Sequence, residues 1–402
     1  MQKFDVVTLG ELLVDFTENG KSAQGNTLFE ANPGGAPCNV LSMLQRLGKK
    51  TAFIGKVGKD SFGEMLRAVV EEQGIDTGNL IADSEVLTTL AFVHTASDGD
   101  RSFSFYRNPG ADMMLREEEI DFSVLENTRI FHFGSLSMTA AGVENATKKA
   151  IEAAKNAGAL ISFDPNLRPP LWKSLDTAKE KIAYGISQCD ILKISDDEIA
   201  FFTGISDIDE GVAKILEEFH TPFICATMGK KGSRAYYNGN RVEQAPFLNE
   251  NTIETTGAGD TFMACVLNGI LEHGLDNMDA QKMRETLEFA NAASSIITTK
   301  KGALKVMPKK DEVLQFIQER KGQAKMTETV VLLDDVDKIK SFVVDTAKFE
   351  ADMDLVSGRY VIDAKSIMGI FSMDLSKPIV LKIYEDGDKA EEILKALKEY
   401  MV

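Results

Sequence analysis

The sequence predicts an α/β protein: a doubly wound, mostly parallel sheet with a small accessory β lid, followed by a C-terminal α+β domain. Three observations predict it. Short β-branched runs alternate with longer stretches of helical period from the first residues to about residue 300, the pattern of a parallel sheet covered on both faces. Two stretches inside that region alternate every second residue instead, as antiparallel strands do. Near residue 320 the periodicity stops, and it restarts at Met326.

In chain order the strands read "DVVTLG", "TAFIGKVG", "RIFHFGS", "LISFDPN", "DILKIS" and "FICATMG". The helices fall at 36–47, 61–73, 142–157, 174–187, 208–219, 259–273 and 279–299. The lid comes from about 11–32 and 88–112, with a turn at "SDGDR". "ERKGQAKM" is polar and aperiodic, so residues 1–320 read as one domain, 321–325 as a linker and 326–402 as a second domain. The second domain reads as strand "ETVVLL", helix 335–347, a strand pair turning at Ser357-Gly358, a short helix from Lys365, strand "PIVLKIYE" and helix 388–400. That is a complete small α+β sandwich.

A chain of 402 residues exceeds what one core usually holds, consistent with two domains. The net charge of -17 argues against nucleic-acid and anionic-membrane partners, which need a basic footprint. Any polyanionic substrate must therefore be captured by local donors. The four cysteines are scattered, and neither a signal peptide nor a spanning apolar run is present, so a cytoplasmic location is expected.

Four motifs carry chemistry. In "NPGGAPCNVLSMLQRLG", Gly34 and Gly35 let backbone approach a ligand, and Asn39 offers both donor and acceptor. Asp15, after the first strand, can accept bonds from sugar hydroxyls. In "DPNLRPPLW", Asp164, Asn166 and Arg168 alternate where a strand ends, and Arg168 can clamp phosphate, although a loop salt bridge explains it equally. "SDDE" and "TMGKKGS" also follow strands. Glu198 can orient Mg²⁺ through water, and Thr227, Gly229 and Gly232 can lie against a nucleotide. In "ETTGAGDTF", Gly257, Ala258 and Gly259 at a helix start can form an anion site, with Asp260 as a base. Ordinary helix capping accounts for the same letters.

Together, "GGAPCNV", "LQRLG", "IGKVGKDSFG" and "ETTGAGDTF" resemble the paired signatures of the PfkB/ribokinase family of carbohydrate kinases over residues 3–318. "GELLVDF", "RSFSFYRNPGADMML" and "DPNLRPPLW" look most like its fructokinases. The resemblance implies a ribokinase-like fold and ATP-dependent phosphorylation of D-fructose at O6, with Mg²⁺ and often K⁺. It implies Asp260 as base, Gly257, Ala258 and Gly259 as anion hole, and Arg168 neutralising phosphate. Asp15, Gly34, Gly35 and Asn39 would hold the sugar, with Phe105, Arg107 and Asn108 closing from the lid, a surface that also suits a homodimer. Lys193, Thr227, Gly229, Gly232 and Asn291 would line the nucleotide groove, and Glu198 would reach Mg²⁺ through water. The family usually has Asp at the position of Glu254, where it serves a monovalent cation; Glu254 and Thr256 would serve K⁺ here. Ser195 stands where the family's metal motif has Asn. Within the family, 2-keto-3-deoxygluconate kinase shares much of the "DPNLRPPLW" pattern. A non-catalytic sugar sensor acting through the tail is the reading from another class.

Residues 326–402 resemble the HPr phosphocarrier fold, most clearly in "VSGRYVIDAKSIMGIFSMDLSKPI", where Ser366 matches the regulatory serine. Phosphocarrier chemistry needs a histidine, and the chain's four are His94, His132, His220 and His273. The tail is expected to be an interaction, oligomerisation or regulatory module with an unidentified protein partner.

Overall fold

The computed structural model describes residues 4–95, 101–249, 251–324, 326–349, 351–357 and 360–402. Most of the "SDGDR" turn, and Gly358 of the second expected turn, lie outside them. Nine strands form the main sheet in the order Asn240–Gln244, Ser233–Tyr237, Phe223–Thr227, Ile191–Ser195, Leu160–Asp164, Thr128–Gly134, Phe4–Leu9, Thr51–Gly58 and Asp76–Asp83. From Phe223–Thr227 to Asp76–Asp83 every pairing is parallel. The last two strands at the other edge join antiparallel. Thr51–Gly58 is buried at all eight positions, as a strand covered on both faces must be. Phe131, Phe133 and Phe163 stack within the core, each fully shielded and each worth about 2–3 kcal/mol of apolar burial.

The expected helices of the first domain appear within two residues of their predicted ends, while the last one, expected at 388–400, ends at Ala396. Sequence reading missed the edge hairpin Ser233–Tyr237 and Asn240–Gln244, although its signal was present. Asn238 and Gly239 both adopt positive φ, 48° and 77°, as a two-residue hairpin turn requires. The accessory sheet, in the order Thr27–Gly34, Leu13–Lys21, Leu90–Thr95 and Arg101–Tyr106, is not wholly antiparallel: Leu13–Lys21 pairs parallel with Leu90–Thr95.

The expected linker is helical where described, because helix Lys310–Ala324 runs into it. Lys, Gln, Arg and Ala are good helix formers, and one glycine costs only about 1 kcal/mol, so polar texture alone did not mark a break. The chain divides into one compact unit up to Val313 and a second over Leu314–Val402. The second unit contains an antiparallel sheet, Thr327–Val331, Ile379–Ile383, Met353–Ser357 and Tyr360–Asp363. Helices Val336–Thr346, Ile367–Ile370 and Gly387–Ala396 accompany it. Its own core gathers Phe342, Leu355, Leu381, Leu397 and Tyr400. Ser366 caps Ile367–Ile370 by accepting from the Gly369 N–H at 3.3 Å.

Candidate active site

Two cavities open where the parallel strands end. The smaller, about 410 Å³, is lined by Glu11, Asp15, Gly34, Gly35, Asn39, Phe105, Asn166, Arg168, Lys193, Glu254, Thr255, Thr256, Gly257, Gly259 and Asp260, among others. The larger, about 700 Å³, is lined by Lys193, Ser195, Thr227, Gly229, Gly232, Phe247, Thr255, Ala258, Gly259, Phe262, Asn291 and Ser295, among others. Lys193, Thr255 and Gly259 line both. The cavities therefore meet at the start of helix Ala258–His273, whose N-terminal dipole favours an anion.

Local sequence explains that junction. Gly257 precedes the helix with φ of 77°, and a Cβ there would meet the Ala303 side chain at 2.6 Å. At Gly259 a Cβ would face the Lys193 Nζ at 3.2 Å, so the small residue leaves the ammonium open to the helix start. The Ala258 N–H donates to the Thr255 carbonyl at 3.2 Å, so this member of the expected anion-binding trio is already engaged.

Asp260 is 9 % exposed and receives the Asn39 Nδ2 donor on Oδ2 at 2.8 Å. Burial pushes its carboxyl upward, opposed by the Asn39 bond and by the Lys193 and Arg168 charges. Asn39 thus orients the carboxylate; its own Oδ1 is buried with no partner among the described residues, in the cavity wall. Lys193 Nζ lies 3.0 Å from Asp164 Oδ2, both side chains nearly shielded from solvent. Burial works against the ammonium, but the carboxylates of Asp164, Glu198 and Asp260 outweigh it, so the Lys193 pKa rises and the lysine is charged.

Asp15 is pushed up to about 7 by burial, with Glu254 and Asp260 adding to the shift and Arg168 opposing it. Glu11 is likewise raised to about 7 by burial, while its Oε1 accepts the Ala36 N–H at 2.9 Å and fixes the entry to helix Ala36–Arg46. Sequence reading missed Glu11 although it quoted "GELLVDF"; a carboxylate one residue past a strand-end glycine was its signal. Ser295, whose hydroxyl is buried in the larger cavity wall without a partner among the described residues, had no signal at all.

Four of the expected residues are placed as follows. The Arg107 guanidinium pairs with Asp112 at 2.6 Å and bonds Thr139 Oγ1 and the Leu136 carbonyl, which holds it away from both cavities. Asn108 is exposed and, like Arg107, lines neither cavity. Glu198 also lines neither. Its two oxygens accept from the Leu167 N–H at 2.8 Å and the Ser195 N–H at 2.9 Å, a capping box that spends the carboxylate on backbone. Asn291 does line the larger cavity, but its amide is committed to Ser233, Gln244 and Ala245. Among the described residues no group of three or more His, Cys, Asp or Glu can hold a metal ion, and no helix is long and apolar enough to cross a membrane.

Comparison with known proteins agrees with this geometry. The model of the pfkB family carbohydrate kinases matches residues 3–310, and that of the PTS HPr component phosphorylation site matches residues 338–402. Probable fructokinase-2 of Arabidopsis thaliana is 41 % identical over 315 residues, 78 % of this chain and 95 % of that protein. Fructokinase-1 of Zea mays is 41 % identical over 78 % of this chain and 97 % of its own length. Among solved structures, fructokinase with bound ATP from Xylella fastidiosa superposes with a TM-score of 0.73 at 31 % identity, covering 80 % of this chain and all of that one. Fructokinase from Vibrio cholerae O395, in its fructose, ADP and calcium ion bound form, gives 0.71 at 28 % identity over 79 % of this chain and all of that one. With its signatures flanking one junction, and relatives aligned over nearly their full lengths, the chain belongs to the pfkB family of carbohydrate kinases and carries an HPr-like domain at its C-terminal end.

Proposed function

We propose that the protein phosphorylates D-fructose at O6 with ATP. One observation carries the reading: two cavities share a wall at a helix start, with a buried carboxylate on one side of it and a buried ammonium reaching both. The hydroxyl-binding residues Asp15 and Asn39 belong to the smaller cavity, and Phe247 and Phe262 give the larger an apolar surface suited to a purine. Asp260, oriented by Asn39, takes the proton of the attacking hydroxyl. The helix start and Lys193 stabilise charge on the phosphoryl group as it passes between the cavities, and Arg168 screens it from the sugar side. The described residues offer no all-protein magnesium cage, so Mg²⁺ fits as an ion carried by nucleotide phosphates and water, where it neutralises charge.

The sugar cavity supports a neutral substrate over a sugar acid. Glu11, Asp15, Glu254 and Asp260 face it, while Lys193 is paired with Asp164, leaving Arg168 as its counter-charge. A carboxylated sugar such as 2-keto-3-deoxygluconate would have to settle among buried carboxyls already raised toward the protonated acid. A sensor has no use for a base beside an anion site, so catalysis is the better account. For the tail, which contains no histidine, we propose binding rather than phosphate relay. A coupled ADP-release assay with fructose, 2-keto-3-deoxygluconate, ribose and adenosine tests the main reading. Fructose should give the highest kcat/KM and yield the 6-phosphate; preferential turnover of any other member would overturn it.

A further inference from the structure

Glu254 is 9 % exposed in the wall of the sugar cavity. Its backbone N–H is tied to the Thr298 carbonyl at 3.1 Å, which fixes the residue in place. Its carboxylate, by contrast, receives no N–H or O–H donor and no cation from the described residues. Neither of its oxygens is among the buried polar atoms left without a partner, so the carboxylate opens to the cavity, where a ligand can supply its partner.

Hydroxyl groups and a monovalent cation can both do so, and the surroundings favour hydroxyls. The carboxylate faces the cavity that holds Asp15, and its charge acts on Asp15 across that space. Asn39, which also lines the cavity, keeps an amide oxygen without a partner among the described residues, an acceptor for a further hydroxyl. Glu254 also sits on the segment that leads into helix Ala258–His273, so it shares a short, backbone-tethered stretch with the base.

We propose that Glu254 is a sugar ligand and a specificity determinant: its carboxylate accepts hydrogen bonds from hydroxyls of the bound ketose and repels sugar acids. This rests on the sugar-kinase reading above. It differs from the role of the family's aspartate in serving a monovalent cation.

The test compares wild type with Glu254→Gln and Glu254→Asp, at saturating ATP, with fructose and with 2-keto-3-deoxygluconate, each with and without potassium. Melting curves check that the isosteric amide variant folds, and Glu254→Asp supplies the comparison if it does not. Glu254→Gln should raise the fructose KM by about tenfold or more, the scale for a lost charged hydrogen bond, with the ATP KM within about twofold. Selectivity should shift toward the sugar acid by about tenfold, while the response to potassium stays as in wild type. Calorimetric titration with fructose in the absence of nucleotide should show the same loss. An unchanged fructose KM overturns the proposal, and an unchanged KM with a lost potassium response assigns the residue to a cation. Should wild type turn over another sugar and not fructose, the fructose reading fails, and the same KM comparison on that sugar still decides Glu254.

Discussion

Lys193→Met strips the ammonium from the junction of the two cavities and leaves Asp164 shielded without its partner. The Nζ to Oδ2 distance is 3.0 Å, and the two side chains are 8 % and 5 % exposed. Breaking a pair so placed costs up to about 3–5 kcal/mol at a pH where Asp164, which burial raises to about 7, is ionised, since its charge is then buried alone. In a domain of this size that lowers Tm by roughly 10 °C. Asp164→Asn in the same background removes the stranded charge, so the double variant should be more stable than the sum of the single losses by about 2 kcal/mol or more. Turnover should not follow stability. Loss of a cation stabilising the transferring phosphoryl costs about 10²–10³ in kcat, and the double variant should remain at that level. Urea denaturation and steady-state kinetics on wild type, both single variants and the double variant measure the two effects separately. A coupling below about 0.5 kcal/mol would refute the structural half of this reasoning. A double variant regaining wild-type kcat would refute the catalytic half.

Asp260→Asn should lower kcat by about 10²-fold or more with modest change in sugar binding, read from steady-state kinetics and from titration with fructose; near-full activity would remove Asp260 as the base. Glu11 gives the fold a pH dependence. Burial raises its pKa from 4.5 to about 7, so the folded state favours the protonated acid. The stabilisation is complete below about pH 4.5 and is lost as pH rises through 7, amounting to about 3 kcal/mol. Glu11→Gln keeps the acceptor for Ala36 and cannot ionise, so its stability relative to wild type should grow between pH 5 and pH 8 in urea titrations; a constant gap would exclude the effect. Ending the chain at Ala324 should leave fructose turnover and a cooperative melt intact, since the tail has a core of its own; loss of the transition would show the tail to be integral.

The alternation of strand and helix was legible because each sheet strand is a short apolar run bounded by a turn, as in "TAFIGKVG" and "DILKIS". The glycines at 34, 35, 257 and 259 stand out in the sequence, and the structure gives a packing reason for them: a side chain there would crowd Asp15, the Glu11 backbone, Ala303 or Lys193. What the sequence hid was the direction of side chains. Arg107 and Asp112 are five residues apart, and nothing in "RNPGAD" says that the guanidinium turns inward to its neighbour. Glu198 reads as a metal-site acid, and the sequence does not show that its carboxylate also closes a capping box with Ser195. Lys193 was assigned to one cavity, and only the packing of Leu160–Asp164 beside Ile191–Ser195 brings Asp164 to it and opens it to both.

The carboxylate-rich wall of the smaller cavity also bears on how a cycle ends. On the proposed reading the sugar arrives uncharged, but its phosphate ester leaves with up to two negative charges beside Asp15, Glu254 and Asp260. Lys193 and Arg168, which steady the phosphoryl group in transfer, are shared with Asp164 and with the carboxyls of the wall. On that reading a wall of carboxyls raised toward the protonated acid accepts a neutral sugar more readily than the ester made from it, which favours product release.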